Sequence, residues 1–192
     1  PRSADMWNTG KVISPNSCNV IYTGRTLKTS VRCYWKVRVW DERGCVSEYS
    51  RPAFFEMGLL RKSDFKGKWI KAPEPVEKYH LPIFRKSFEI HDDIKQARAY
   101  ICGLGYYELY INGKKVSDHV LDPAQTDYDI RCLYVTHDAG RYLRKGTNAV
   151  AVMLGEGFYS QGRVWCSGKY VESGGVYNRP PMLLLQCHIF DK

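Results

Sequence analysis

The sequence lacks any close pair of cysteines. Its seven, Cys18, Cys33, Cys45, Cys102, Cys132, Cys166 and Cys187, are spread over 192 residues with no CxxC spacing. Structural zinc sites draw on closely spaced ligand pairs, so none is expected here. Most of these cysteines flank apolar strand residues, as in Val31–Tyr34 and Leu185–His188, and read as buried free thiols acting as small hydrophobes. One incidental disulfide is left open.

Other absences narrow the function classes. No stretch approaches the ~18 consecutive apolar residues of a membrane span, so no membrane partner is expected. No charged-then-apolar leader follows Pro1, so the chain reads as a fragment without its localisation signal. The net charge is +9, and a basic excess can serve nucleic acid, anionic lipid or an acidic polysaccharide. The densest basic stretch is Arg61, Lys62, Lys66, Lys68 and Lys71. No basic helix, zinc-finger spacing or RNP-like motif accompanies it, so the charge reads as a solvated surface and no nucleic-acid partner is expected. No internal repeat and no long helical period are visible.

What is present is a period of two. In Cys33–Val39, Cys33, Trp35, Val37 and Val39 point one way, and Tyr34, Lys36 and Arg38 the other, the mark of a half-buried strand. Asp41–Gly44 supplies a turn, Pro52–Phe55 opens another strand, and Gly10–Ile13 and Asn19–Tyr22 are shorter candidates. Residues 1–58 are too few for a sandwich of ~100 residues. They read as part of an immunoglobulin- or fibronectin-III-like domain, with a core face left to be covered or partly disordered. Residues 59–82 read as a linker with one short strand at Gly67–Lys71.

Residues 83–192 carry more strands: Ile83–Ile90, Gln96–Gly103, Gly105–Ile111, Lys114–Val116, Tyr134–Thr136, Asn148–Leu154 and Met182–Phe190. Asn112–Gly113 predicts a tight hairpin, because a type I′ turn needs positive φ at both central residues. Asp138–Leu143 predicts one helical turn capped by Asp138 and followed by Gly146. The fold class is therefore all-β: a partial immunoglobulin-like segment, then an antiparallel jelly-roll sandwich of the galactose-binding-like kind.

The runs Gly103–Gly113 (GLGYYELYING), Leu121–Tyr128 (LDPAQTDY), Tyr134–Asp138 (YVTHD), Leu143–Asn148 (LRKGTN) and Leu154–Gln161 (LGEGFYSQ) resemble the N-terminal jelly roll of bacterial α-L-rhamnosidases. Upstream, Trp7–Val12, Tyr22–Leu27, Trp35–Ser50 and Phe55–Leu60 resemble the fibronectin-like segment that precedes it. The resemblance covers nearly the whole chain, and it rests on the ordered set rather than on any single motif. Two positions depart from it: Gln125 and Phe158 stand where the family often has Trp. The first loses a stacking surface and the second loses an indole N–H donor.

The resemblance implies a parent that inverts terminal α-L-rhamnosides with two carboxylates on a helical barrel, which this sequence does not contain. It implies that this fragment is inactive alone, and that its partners are a rhamnose-containing oligosaccharide or polysaccharide and a downstream catalytic domain of the same chain. It also implies a periplasmic or secreted bacterial enzyme. The alternative is a purely structural or interaction module with no sugar site.

Two loops hold the candidate carbohydrate-binding residues. Asp122–Asp129 offers Gln125, Asp127 and Tyr128: carboxylates accept sugar hydroxyls and Tyr stacks, but Asp and Thr equally cap their own turns. Gly155–Gly162 offers Glu156, Phe158, Tyr159 and Gln161, whose aromatics would either meet a ligand or plug the end of the sandwich. Trp165 and Tyr170 lie in the long irregular run that follows. Asp122, Asp127 and Asp129 supply hard oxygens for a calcium ion, though their spacing fits no EF-hand loop. The five histidines, including His119 and His137, are scattered, and no nucleophile–base arrangement is visible.

Overall fold

The computed structural model describes residues 4–16, 18–73, 81–160, 163–166, 169–172 and 179–191. The chain divides into two units, Pro1–Phe65 and Lys66–Lys192. Among the described residues nearly all regular structure is β, the one helical element being a single 3₁₀ turn at Lys62–Asp64. No helix among them is long and apolar enough to cross a membrane.

In the first unit, β1 (Arg32–Trp35) pairs antiparallel with β2 (Ala53–Glu56), placing Arg32 opposite Glu56. Their side chains form an ion pair at 2.9 Å. Beyond Trp35 the ladder continues irregularly, because the hydroxyls of Ser50 and Ser47 accept hydrogen bonds from the N–H groups of Val37 and Val39. The turn expected at Asp41–Gly44 forms, with Gly44 at φ 82° and the Asp41 carboxylate accepting the Cys45 N–H at 2.7 Å. Gly10–Ile13 and Asn19–Tyr22 are not strands. Gly10 and Asn19 take φ of 64° and 57°, which breaks extended backbone. That part is instead held by Trp7 packing edge-on against Tyr22, 5.1 Å between centroids. The face marked by the alternation is open: Trp35, Val37 and Val39 are all exposed.

The second unit is an antiparallel sandwich. One sheet orders β11 (Met182–Asp191), β4 (Ile94–Leu104) and β7 (Val135–Asp138); the other orders β3 (Ile83–Ile90), β8 (Gly146–Gly155), β5 (Tyr106–Ile111) and β6 (Lys114–Lys115). Strands β3, β4, β5, β7, β8 and β11 pass back and forth between the sheets, as in a jelly roll. Alternation selects the core: Tyr107, Leu109 and Ile111 from β5, and Val152 and Leu154 from β8, meet Ile101 and Leu183 from the facing sheet. β4 is buried on both faces from Ala97 onward. On its outer face Tyr100 meets Tyr134 and His188 edge-on. The segment expected as a linker enters this unit: Ile70 exchanges backbone bonds with Leu183, and the Gln186 side chain accepts the Gly67 N–H at 2.9 Å.

The hairpin at Asn112–Gly113 has φ of 50° and 76°, the signs a type I′ turn requires. Asn112 also donates to the Tyr142 carbonyl and to the buried Asn148 side chain, which ties the turn to the bend before β8. That bend is a turn without a helix: Tyr142 and Leu143 both donate to the Ala139 carbonyl, and the Asp138 carboxylate caps the Gly140 N–H. A short hairpin, β9 (Arg163–Cys166) with β10 (Lys169–Glu172), occupies the run expected to be irregular. The cysteines also depart from expectation. The six whose side chains are described are free; Cys102 is buried and Cys18, Cys45 and Cys132 are exposed, while Cys187 is exposed in part but has its thiol pushed up to about 11 by burial. Cys45 follows a turn, and Cys132 sits in a loop beside the buried Cys102 thiol.

Candidate functional site

The two loops singled out in the sequence meet at one end of the sandwich, where Tyr106 of β5 lies opposite Gly155 of β8. Tyr107 N–H donates to the Asp122 carbonyl at 3.2 Å, which fastens the first loop to β5. The Asp122–Pro123 peptide is cis. Tyr128 and Tyr159 pack edge to face, centroids 5.4 Å apart. Tyr159 is only 7% exposed, and burial raises the Tyr128 phenol above its ordinary pKa. Asp127 uses one carboxylate oxygen on the Asp129 N–H and its carbonyl on Ile130 and Arg131. Gln125 and Glu156 are exposed. Trp165 belongs to β9, whose side chains lie outside the described residues, as does Gln161.

Beside these polar groups, this end exposes apolar side chains. Val120, Leu121, Ile130, Leu133 and Phe158 all stand out to solvent, Ile130 at 79% and Leu121 at 66%. Leu121 takes a φ of 58°, a left-handed conformation that bulky residues seldom adopt.

A polar site lies elsewhere, in the mouth between the two sheets. β6 is the edge of one sheet and β7 the edge of the other. An open groove of ≈ 690 Å³ lies there, lined by residues of Lys115–His119 and Thr136–Asp138 together with Arg141 and Tyr142. Deeper in, His137 Nε2 lies 2.9 Å from the Tyr107 hydroxyl. His119 Nδ1 lies 2.9 Å from the Asp122 carboxylate, and the two imidazoles are 6.0 Å apart. Burial lowers the His137 pKa; Asp122 opposes that shift and His119 adds to it. Burial raises the Tyr107 phenol, and the negative charge of Asp122 raises it further. At the rim, Lys115 pairs with Glu108 at 2.5 Å and Asp138 with Arg98 at 2.8 Å.

Little in the sequence announces this cluster. His119 carries a carboxylate three positions on, at Asp122. His137 shares the inward phase of β7 with Val135, so a polar ring at a core-facing position was the available signal. The three aspartates considered for calcium are not gathered: Asp122 is engaged by His119, and Asp127 by its own turn. Among the described residues no group of three or more His, Cys, Asp or Glu side chains is placed to hold a metal ion.

The described chain is thus an immunoglobulin-like segment followed by an antiparallel β-sandwich with a polar mouth, and comparison with known proteins gives its family. Residues 92–191 match the alpha-L-rhamnosidase N-terminal domain, and residues 1–61 match the Rha78A-like, N-terminal immunoglobulin domain. The chain belongs to the alpha-L-rhamnosidase N-terminal domain family. It is 38% identical to an alpha-L-rhamnosidase of Formosa agariphila over 95% of its own length and 21% of that protein. Among solved structures, it is similar to the alpha-L-rhamnosidase from Dictyoglumus thermophilum, with TM-score 0.84 and 39% identity, over 100% of this chain and 22% of that one. The Aspergillus terreus enzyme gives a TM-score of 0.78 at 33% identity, over 88% of this chain and 20% of that one. The chain thus spans about one fifth of the length of these relatives.

Proposed function

We propose that this chain is a non-catalytic accessory module of an α-L-rhamnosidase, which braces the catalytic part of the longer protein and contributes to recognition of its rhamnoside. The observation that carries the bracing role is the apolar end of the sandwich. Tyr128 and Tyr159 are spent on each other, while Val120, Leu121, Ile130, Leu133 and Phe158 face outward. Exposed apolar surface beyond scattered single residues marks interaction sites, and the relatives extend over roughly five times the length of this chain. The hydrolytic carboxylates then lie in that remainder.

The test is made in the longer protein. Replacing Leu121, Ile130 and Phe158 together by Asp, Asp and Ser should loosen the module from the rest. One cooperative thermal transition should become two, and limited proteolysis should release the module. An unchanged single transition would remove the bracing role. A second reading, a module with no sugar site, draws support from Tyr159, which is buried against Tyr128 and is not presented to a ligand. Calorimetry of the chain with L-rhamnose and rhamnosylated oligosaccharides separates the two: absence of heat at millimolar sugar favours bracing alone.

A further inference from the structure

We propose that the mouth between β6 and β7 is a binding site for a neutral, hydroxyl-rich saccharide unit, held by Ser117, His119, Thr136, Asp138 and Arg141. It deepens the recognition half of the function proposed above and replaces the loop residues as its seat. Only the choice of sugars rests on that reading.

Three observations carry it. The first is position. Both sheets end here, at β6 and at β7, and the open groove beside them, ≈ 690 Å³, is within the ~300–1,000 Å³ usual for small-molecule sites.

The second is that the groups are held in place. Tyr142 donates its hydroxyl to the Val116 carbonyl at 2.6 Å and carries the Arg141 guanidinium over its ring at 4.8 Å. Asp138 is fixed by Arg98, and His119 by Asp122. His137, which lines the groove, is held from behind by the Tyr107 hydroxyl. Ligand groups that are already ordered cost less to engage than free ones.

The third is charge. Of the residues that line the groove, the cations Lys115 and Arg141 stand against the carboxylates Asp118 and Asp138. The signs are interleaved and close to balance, so the site offers no net field for a uronate or sulfate. It offers donors beside acceptors. A sugar hydroxyl is both, and charge-assisted bonds are the stronger kind.

The test is a titration of the ¹⁵N-labelled chain, followed by NMR, with L-rhamnose, a rhamnosylated disaccharide and galacturonic acid. Shifts should concentrate in residues 115–119 and 136–142, with saturation at millimolar neutral sugar. Arg141→Ala should weaken binding about tenfold, the worth of one hydrogen bond to a charged group. Ser117→Ala serves as a second, milder variant, and Asp127→Ala should leave affinity unchanged. Shifts centred on residues 125–129 or 155–160 would overturn the assignment, as would no shifts at all in the folded chain. A stronger response to galacturonic acid would overturn its neutral character. None of these outcomes bears on the bracing role, whose test reads the thermal transitions of the longer protein.

Discussion

The Tyr107 hydroxyl and His137 Nε2 sit 2.9 Å apart and join the two sheets across the sandwich, one from β5 and one from β7. Both residues are buried. A polar pair in such a place is stabilising only while both members are present.

Tyr107→Phe keeps the ring and removes the hydroxyl. It should cost ~1–3 kcal/mol, the penalty of leaving a buried polar atom without its partner. Urea denaturation of the variant beside the wild type measures it. A change below ~0.5 kcal/mol, the scale of an ordinary surface substitution, would mean that the bond does not contribute.

His137 also predicts a dependence on pH. Burial holds its pKa below the ordinary value of 6.5, so the folded chain binds fewer protons than the unfolded chain just below that pH. Its contribution to stability is therefore full above 6.5, is lost as the pH falls through that value, and levels off below the lowered folded pKa. In His137→Gln the slope of stability against pH between 6.5 and 5 should flatten. An unchanged slope would assign the effect to other groups.

Leu154 and Met153 are neighbours on β8 that point to opposite faces. Leu154 is fully buried in the core between the sheets, while Met153 is exposed. Leu154→Ala should cost ~2–5 kcal/mol and Met153→Ala at most about 0.5 kcal/mol. Thermal denaturation of the two variants checks the inward phase of the strand directly.

The cysteines should separate by reactivity. Cys102 is buried on β4, and its thiol is pushed up to about 12, first by burial and then by the neighbouring Cys132. Cys18 and Cys45 are exposed. At pH 8, iodoacetamide should label Cys18 and Cys45 readily and reach Cys102 only on unfolding, because the thiolate is the reactive form. Peptide mapping by mass spectrometry reads the order, and early labelling of Cys102 would contradict its placement.

Much of the sandwich was legible in the sequence because its strands alternate. Tyr106–Ile111 buries every second residue, Asn148, Val152 and Leu154 keep the inward phase of Gly146–Gly155, and Asn112–Gly113 marks its own turn. Two kinds of feature were not legible. The first unit's Gly10–Ile13 and Asn19–Tyr22 have strand-like composition, but left-handed φ at Gly10 and Asn19 redirects the backbone. The polar mouth was hidden because His119 and His137 are 18 positions apart and converge only when β7 returns along β4. The loops chosen instead do come together, but through Tyr128 on Tyr159, a contact made by the ends of β5 and β8 rather than by local sequence.

The two strands that frame the mouth are short. β6 consists of Lys114 and Lys115 alone, and β7 spans only Val135–Asp138. Free strand edges invite another chain to add on and begin aggregation, and lysines and brevity are the usual defences. The side of the sandwich left open to a small molecule is thus a poor template for a further strand. Solubility and access to the mouth are served by the same few residues, so lengthening β6 with apolar residues should compromise both together.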